Sequence, residues 1–220
     1  TIIRDNIQLG YTSTSTIADK PGDIFIDANL NQCKLAVKDI LTFAPFLAAN
    51  LKGNENAVFA VNGSAKGFVK DITIPNFELS GLGSTAVQIS GNIKGLPDAK
   101  KTYYNLQLAK FVTTKKDIES IAPKNSIPSN IRLPEKLSAK GFFKGTIENF
   151  SGKLNAQTTN GNADITGSMS NGGKSYSVKA LLNKFHLGYI LKQEENLGKI
   201  SLEANATGSG FDYKTMTAKV

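Results

Sequence analysis

The sequence predicts an all-β protein of many short strands and tight turns with a few short helices, built from repeats of about 75 residues. Three observations predict it. Apolar and polar residues alternate strictly along most of the chain, the period of strands with one buried and one wet face. Clusters of turn-forming residues separate the alternating stretches. The composition, with 20 Gly, 20 Asn, no Trp and 8% aromatic residues in 220, suits short strands and tight turns better than long helices. At 40% hydrophobic residues the chain carries enough apolar material for a core and does not read as disordered.

The elements follow in order. Ile24, Ile26, Ala28 and Leu30 share one face of the first alternating stretch. Phe59, Val61 and Ala65 repeat the pattern, then Ile72 and Ile74, then Val87, Ile89 and Ile93, then Tyr104, Leu106 and Leu108. Leu137, Ala139 and Phe143 come next, followed by Ala163 and Ile165, by Tyr176, Val178, Ala180 and Leu182, and by Ile200, Leu202, Ala204 and Ala206. Turn signals fall between them: Pro21-Gly22-Asp23, Lys52-Gly53-Asn54, Ser80-Gly81-Leu82-Gly83, Asn160-Gly161-Asn162 and Asn171-Gly172-Gly173. Two segments break the alternation, Val37 to Pro45 and Lys115 to Pro123. Each reads as a helical turn or two ended by proline. Leu187 to Leu191 is a third such segment.

The two longer helical segments share the pattern Lys-Asp-Ile-x-Thr/Ser-x-Ala-Pro at a spacing of 78 residues. Ser64-Ala65-Lys66-Gly67-Phe68 returns as Ser138-Ala139-Lys140-Gly141-Phe142 after 74 residues, and Ile89-Ser90-Gly91 as Ile165-Thr166-Gly167 after 76. The order and spacing predict repeat units at 24–98, 99–182 and, in part, 183–220, in one continuous region of a longer chain. Each unit is a short helix followed by several strands.

A sheet with one apolar face must cover it. A second sheet, closure into a barrel, or a bent gutter filled by something other than protein would each do so. The residues expected on this face, which would line the groove if the sheet forms a gutter, are Ile24, Ile26, Phe59, Val61, Ile72, Ile74, Val87, Ile89, Ile93, Tyr104, Leu106, Leu108, Leu137, Ala139, Phe143, Ile165, Val178, Leu182, Ile200, Leu202 and Ala204.

Enzymatic chemistry finds little support. Cys33 is the single cysteine and His186 the single histidine, so no internal disulfide and no His cluster can form. No P-loop, GxSxG, GxGxxG or CxxC occurs, and the carboxylates are scattered. No cofactor is expected. Cys33 reads as a small buried hydrophobe. The longest apolar run, Phe43 to Ala49, is too short to span a bilayer, and no cleavable signal peptide is present. Thr1 opens in mid-pattern, as expected of a piece of a larger protein.

The net charge of +8 is concentrated. Lys94 to Lys144 holds 11 Lys/Arg against 4 Asp/Glu, a net of +7. No nucleic-acid-binding motif accompanies it. The stretch reads either as a solvated basic face or as a docking surface for acidic partners or lipid head groups.

Residues 17–47 carry a family resemblance. Asp19-Lys20-Pro21-Gly22-Asp23-Ile24-Phe25-Ile26-Asp27-Ala28-Asn29-Leu30 and Lys34-Leu35-Ala36-Val37-Lys38-Asp39-Ile40-Leu41-Thr42-Phe43-Ala44-Pro45 resemble the TamB family of the AsmA-like superfamily, in its Bacteroidota form. Ser90-Gly91-Asn92-Ile93-Lys94-Gly95-Leu96-Pro97-Asp98, Phe111 to Ile118 and Leu187 to Leu191 add to it, so that it runs over most of the chain. The resemblance implies an elongated, curved, mostly antiparallel and taco-shaped sheet with a continuous hydrophobic groove, in a periplasmic protein anchored to the inner membrane by a helix outside this segment. It implies an outer-membrane barrel partner of the Omp85 type. It further implies a non-enzymatic role in outer-membrane assembly and in phospholipid movement between the two membranes. A phospholipid or other acyl-chain ligand would occupy the groove, and no nucleic acid is implied.

Overall fold

The computed structural model describes residues 2, 6–43, 54–122, 126–210 and 217–219. Their strands are β1 (Ile7–Gly10), β2 (Phe25–Ala36), β3 (Val58–Phe68), β4 (Asp71–Ser80), β5 (Ala86–Lys94) and β6 (Tyr103–Thr114). The second half adds β7 (Lys136–Gly145), β8 (Phe150–Thr158), β9 (Gly161–Ser170), β10 (Ser175–His186), β11 (Lys199–Ser209) and β12 (Thr217–Lys219). All join one sheet in sequence order, each strand antiparallel to the next. The first and last strands are not paired to each other, so the sheet is open. The all-β architecture is therefore the one the alternation predicts, and its antiparallel pairing the one the resemblance implies.

Hairpin chemistry explains the meander. At the β9–β10 turn, Asn171 and Gly172 take left-handed φ values of 56° and 62°, which Asn and Gly tolerate best. Gly91 serves a different need. At φ 144° a side chain would be strained, and a Cβ there would stand 2.0 Å from the Asn105 carbonyl oxygen of the next strand.

Helices α1 (Thr14–Asp19), α2 (Val37–Phe43), α3 (Lys115–Ile121) and α4 (Leu187–Leu191) are short. The last three follow β2, β6 and β10 and so recur after every fourth strand. Those strands run in one direction, which puts all three helices at the same end of the sheet. The paired motifs keep the same interval: Ser64–Phe68 lies on β3 and Ser138–Phe142 on β7, while Ile89-Ser90-Gly91 lies on β5 and Ile165-Thr166-Gly167 on β9. Pro45, Pro123, the apolar run 44–49 and the turn residues Lys52 and Gly53 lie outside the described residues.

Capping accounts for α3. The Thr114 hydroxyl accepts from the Asp117 N–H at 3.2 Å. The buried Asp117 carboxylate accepts in turn from the Ser84 N–H at 3.0 Å and the Thr85 hydroxyl at 3.1 Å, tying the helix to the β4–β5 turn.

The core sits at one end of the strand order. Cys33, Val37, Phe59 and Val61 are buried together, with Leu30, Leu35, Ile40, Leu41, Phe77 and Leu79 packed around them. Helix α2 supplies Val37, Ile40 and Leu41, so it covers the apolar face of β2–β4. Cys33 is buried as the sequence predicts. It reaches this face because a bulge between Leu30 and Cys33, with Gln32 at φ 51°, shifts the alternation by one residue.

Such a lopsided core gives an uneven stability map. Phe59→Ala should cost about 3–5 kcal/mol, read as faster hydrogen exchange across β2–β4. Leu202→Ala, at a position 48% exposed, should cost less than about 1 kcal/mol. Equal effects would contradict a core confined to the α2 end.

Candidate functional site

Register, not parity alone, decides which side chains share a face. Cross-strand partners in an antiparallel pair point to the same side. One row runs without interruption from β2 to β11 through Leu30, Gly63, Phe77, Ile89, Leu108, Gly141, Leu154, Ile165, Ala180 and Ala204. A second passes through Ile26, Gly67, Ile72, Ile93, Tyr104, Gly145, Phe150, Met169, Tyr176 and Gly208. A third joins Cys33, Val61, Leu79, Val87, Phe111, Ala139, Ala156, Ala163, Leu182 and Leu202. A fourth joins Ile74, Gly91, Leu106, Phe143, Gly152, Gly167, Val178 and Ala206.

These rows hold all but four of the residues expected on the apolar face. Phe59, Leu137 and Ile200 flank the rows on the same side, opposite Leu35, Thr113 and Phe185. Ile24 lies outside the ladder, which assigns it no face. It precedes β2 at the end of the 3-10 turn Pro21–Asp23, where its carbonyl accepts from the Val69 N–H at 2.9 Å. The β2 register begins only at Phe25, because the turn uses the preceding residues.

Exposure changes along the face. Val61 is 1% exposed under α2, whereas Ile165 and Val178 are 37% exposed and Leu202 48%. Among the described residues only seven apolar side chains are buried, too few to close a face of this length. No second sheet lies against it among those residues.

Midway along the face is an open depression of about 410 Å³. Ile89, Leu106, Leu108, Phe143, Phe150, Leu154 and Ile165 line it, with Gly141, Gly152 and Gly167. Its walls are almost wholly apolar. Tyr104, Phe143 and Phe150 form an aromatic ridge beside it, the first two rings edge to face at 6.1 Å and the last two stacked at 4.9 Å. All three glycines leave the face without a side chain, but at Gly141 a Cβ would stand 1.9 Å from the Lys153 carbonyl oxygen, so there glycine also serves the close approach of β8. Gly167 is not needed for backbone approach: the nearest atom to a Cβ there is 3.8 Å away.

The sequence reading missed β8 and with it Phe150, Gly152, Leu154 and Ala156. The signal is present but faint, since Gly, Ala and Thr occupy three of the five inward positions.

No catalytic arrangement emerges among the described residues. No three His, Cys, Asp or Glu side chains come together as metal ligands. Cys33 on β2 and His186 on β10 stand eight strands apart in the sheet order. No described helix is long and apolar enough to cross a membrane.

The opposite face is polar and stitched by ion pairs between strands: Lys66–Asp27 at 2.7 Å, Lys94–Asp71 at 3.3 Å and Lys179–Glu203 at 2.5 Å. Lys70–Asp23 at 2.5 Å adds a pair at the edge. No family model matches the chain, and no curated protein or solved structure is significantly similar to it.

Four carboxyls are held below their ordinary range. Hydrogen bonds from Lys70 and Lys179 lower Asp23 and Glu203, the Asn92 amide is the main cause at Asp71 with Lys94 behind it, and at Glu194 a backbone N–H acts ahead of Arg132. Lowered values in the folded chain contribute stability above the unfolded values of 3.8 for Asp and 4.5 for Glu, and lose it as pH falls through the folded ones. All four are solvent-exposed, so the effect is small and salt-sensitive. The drop in thermal midpoint between about pH 5 and pH 3 should therefore be smaller in an Asp23→Asn, Asp71→Asn, Glu203→Gln triple variant. An identical drop would remove these pairs as its cause.

Proposed function

We propose that this chain is a non-enzymatic, TamB-type periplasmic module whose apolar sheet face shields lipid acyl chains. In this reading the face is one stretch of a longer groove, anchored to the inner membrane elsewhere in the full protein and serving an Omp85-type barrel at the outer membrane. The observation that carries it is the uncovered apolar face. Four rows of mainly Ile, Val, Leu, Phe, Ala and Gly run from β2 or β4 to β11, and the buried cluster lies at the α2 end. Ala139 and Ala163 are the buried apolar residues beyond it among those described, and Leu154, Ile165, Val178 and Leu202 are exposed. A face of that extent left to water is strongly unfavourable, so an apolar occupant is required.

Acyl chains suit such a face. Each CH₂ removed from water gains about 0.8 kcal/mol, which for two chains amounts to a prohibitive barrier for uncovered transit. Side chains without polar anchors hold hydrocarbon with no fixed register, so that it can slide. The glycine gaps at Gly141, Gly152 and Gly167 leave a bed for hydrocarbon beside the aromatic ridge. Head groups can remain in water at the rim. The family resemblance of residues 17–47 and their companions is the further support for the periplasmic setting and for phospholipid as the cargo.

Native mass spectrometry of the 220-residue chain, followed by lipid extraction, tests this. Phospholipid or detergent should co-purify at defined stoichiometry. Gly167→Phe fills the depression from a position with open space, and should lower retention several-fold with an unchanged circular dichroism spectrum. Ile89→Asp and Leu106→Asp should block lipid passage in the full-length protein. A lipid-free dimer with the two apolar faces pressed together would overturn the reading in favour of a structural or adhesive repeat with a dry core.

A further inference from the structure

The polar face is not uniform. On β6, β7 and β8 it presents Lys110, Lys136, Lys140, Lys144 and Lys153, all exposed. These three strands contain no Asp or Glu. Elsewhere on this face three lysines meet a carboxylate on the adjacent strand, Lys66–Asp27, Lys94–Asp71 and Lys179–Glu203, while Lys34 and Lys199 stand singly, far apart in the strand order. Here the partners across the ladder are neutral: Lys110 faces Gln88, Lys140 faces Asn155, Lys144 lies between Asn105 and Ser151, and Lys153 lies between Phe142 and Thr166. Among the described residues none of the five has an ion pair. Of the flanking strands, β5 has no Asp or Glu, and the one carboxylate of β9, Asp164, accepts from the Asn155 amide.

Unneutralised like charges on neighbouring strands repel one another. Their clustering on three adjacent strands with no carboxylate among them points to an anion outside the chain. Phe142, 40% exposed, stands among them, next to Lys153. The chemistry of the patch narrows the class. It is built of lysine without arginine. Lysine is depleted from protein–protein interfaces, where arginine and its planar fork are enriched. Hydrated lysine ammoniums with an exposed aromatic suit the diffuse negative charge of lipid head groups. The surface is a plain sheet face rather than a channel for a nucleic-acid strand.

The geometry points to the outer face of β6–β8 as a docking surface for an anionic lipid bilayer, with the five lysines over the head groups and Phe142 at the interface. It uses the side of the sheet opposite the apolar rows and stands independently of the lipid-shielding reading.

Vesicle flotation with the 220-residue chain decides the matter. The chain should float with vesicles of phosphatidylcholine containing phosphatidylglycerol and not with phosphatidylcholine alone. Near an anionic surface each lysine is worth about a fivefold factor in partitioning. The Lys136→Gln, Lys140→Gln, Lys144→Gln variant should therefore bind on the order of a hundredfold more weakly. A control with the same charge change elsewhere, Lys34→Gln, Lys100→Gln, Lys174→Gln, should keep most of the binding. Gly167→Phe should leave flotation intact, which separates this surface from the apolar depression. Absence of wild-type flotation, or an equal loss in both triple variants, would overturn the proposal. So would binding of polyglutamate or of a DNA oligonucleotide without binding of the vesicles.

Discussion

Every other property of this chain depends on one constraint: apolar residues must stay in phase across eleven successive strand pairings. A slip of one residue at any pairing would send the whole apolar set of a strand to the wet side. The chain meets the constraint with bulges that reset the count. Gln32 at φ 51° lets Cys33 follow Leu30 on one face, and the irregularity between Leu108 and Phe111 does the same on β6. Between the bulges the rows continue with no polar residue from Leu30 to Ala204.

That ordering produces a sheet with two chemically opposite surfaces. On the apolar side burial is supplied at one end by α2 and fades toward β11, so the hydrophobic effect organises the register of the face without closing it. On the polar side the cross-strand ion pairs hold β2 to β3, β4 to β5 and β10 to β11. The strands between them, β6–β8, carry charge without compensation. They also line the depression on the other side. The middle of the sheet is thus where both of its surfaces are least satisfied by the chain itself.

Much of this was legible in the sequence. Alternation located nine of the twelve described strands, and the breaks in it located α2, α3 and α4. Strand β1 was missed because Ile7 and Leu9 are its only apolar residues, and β12 because it is three residues long. Helix α1 was missed because Thr14-Ser15-Thr16-Ile17 has low helix propensity and no apolar period. Strand β8 was missed because Gly152 and Ala156 dilute its pattern. Nearly all the residues expected on the apolar face fall in its rows, since a period of two is a local property of the chain. Cys33, Phe77 and Phe111, brought there by bulges, and Phe150 and Leu154 of β8 were not identified. The glycine gaps were not, because a missing side chain gives no hydrophobic signal.

The sequence by itself determined the class of fold and the face that most residues of nine strands take, because both follow from residue type and short-range spacing. Only the tertiary structure decided that the strands form one open sheet in sequence order, that α2 closes one end of the face, and that lysines from three strands gather without carboxylates. Those outcomes depend on which strand lies beside which and in what register. Such pairings are long-range, and the local pattern of a single strand does not encode them.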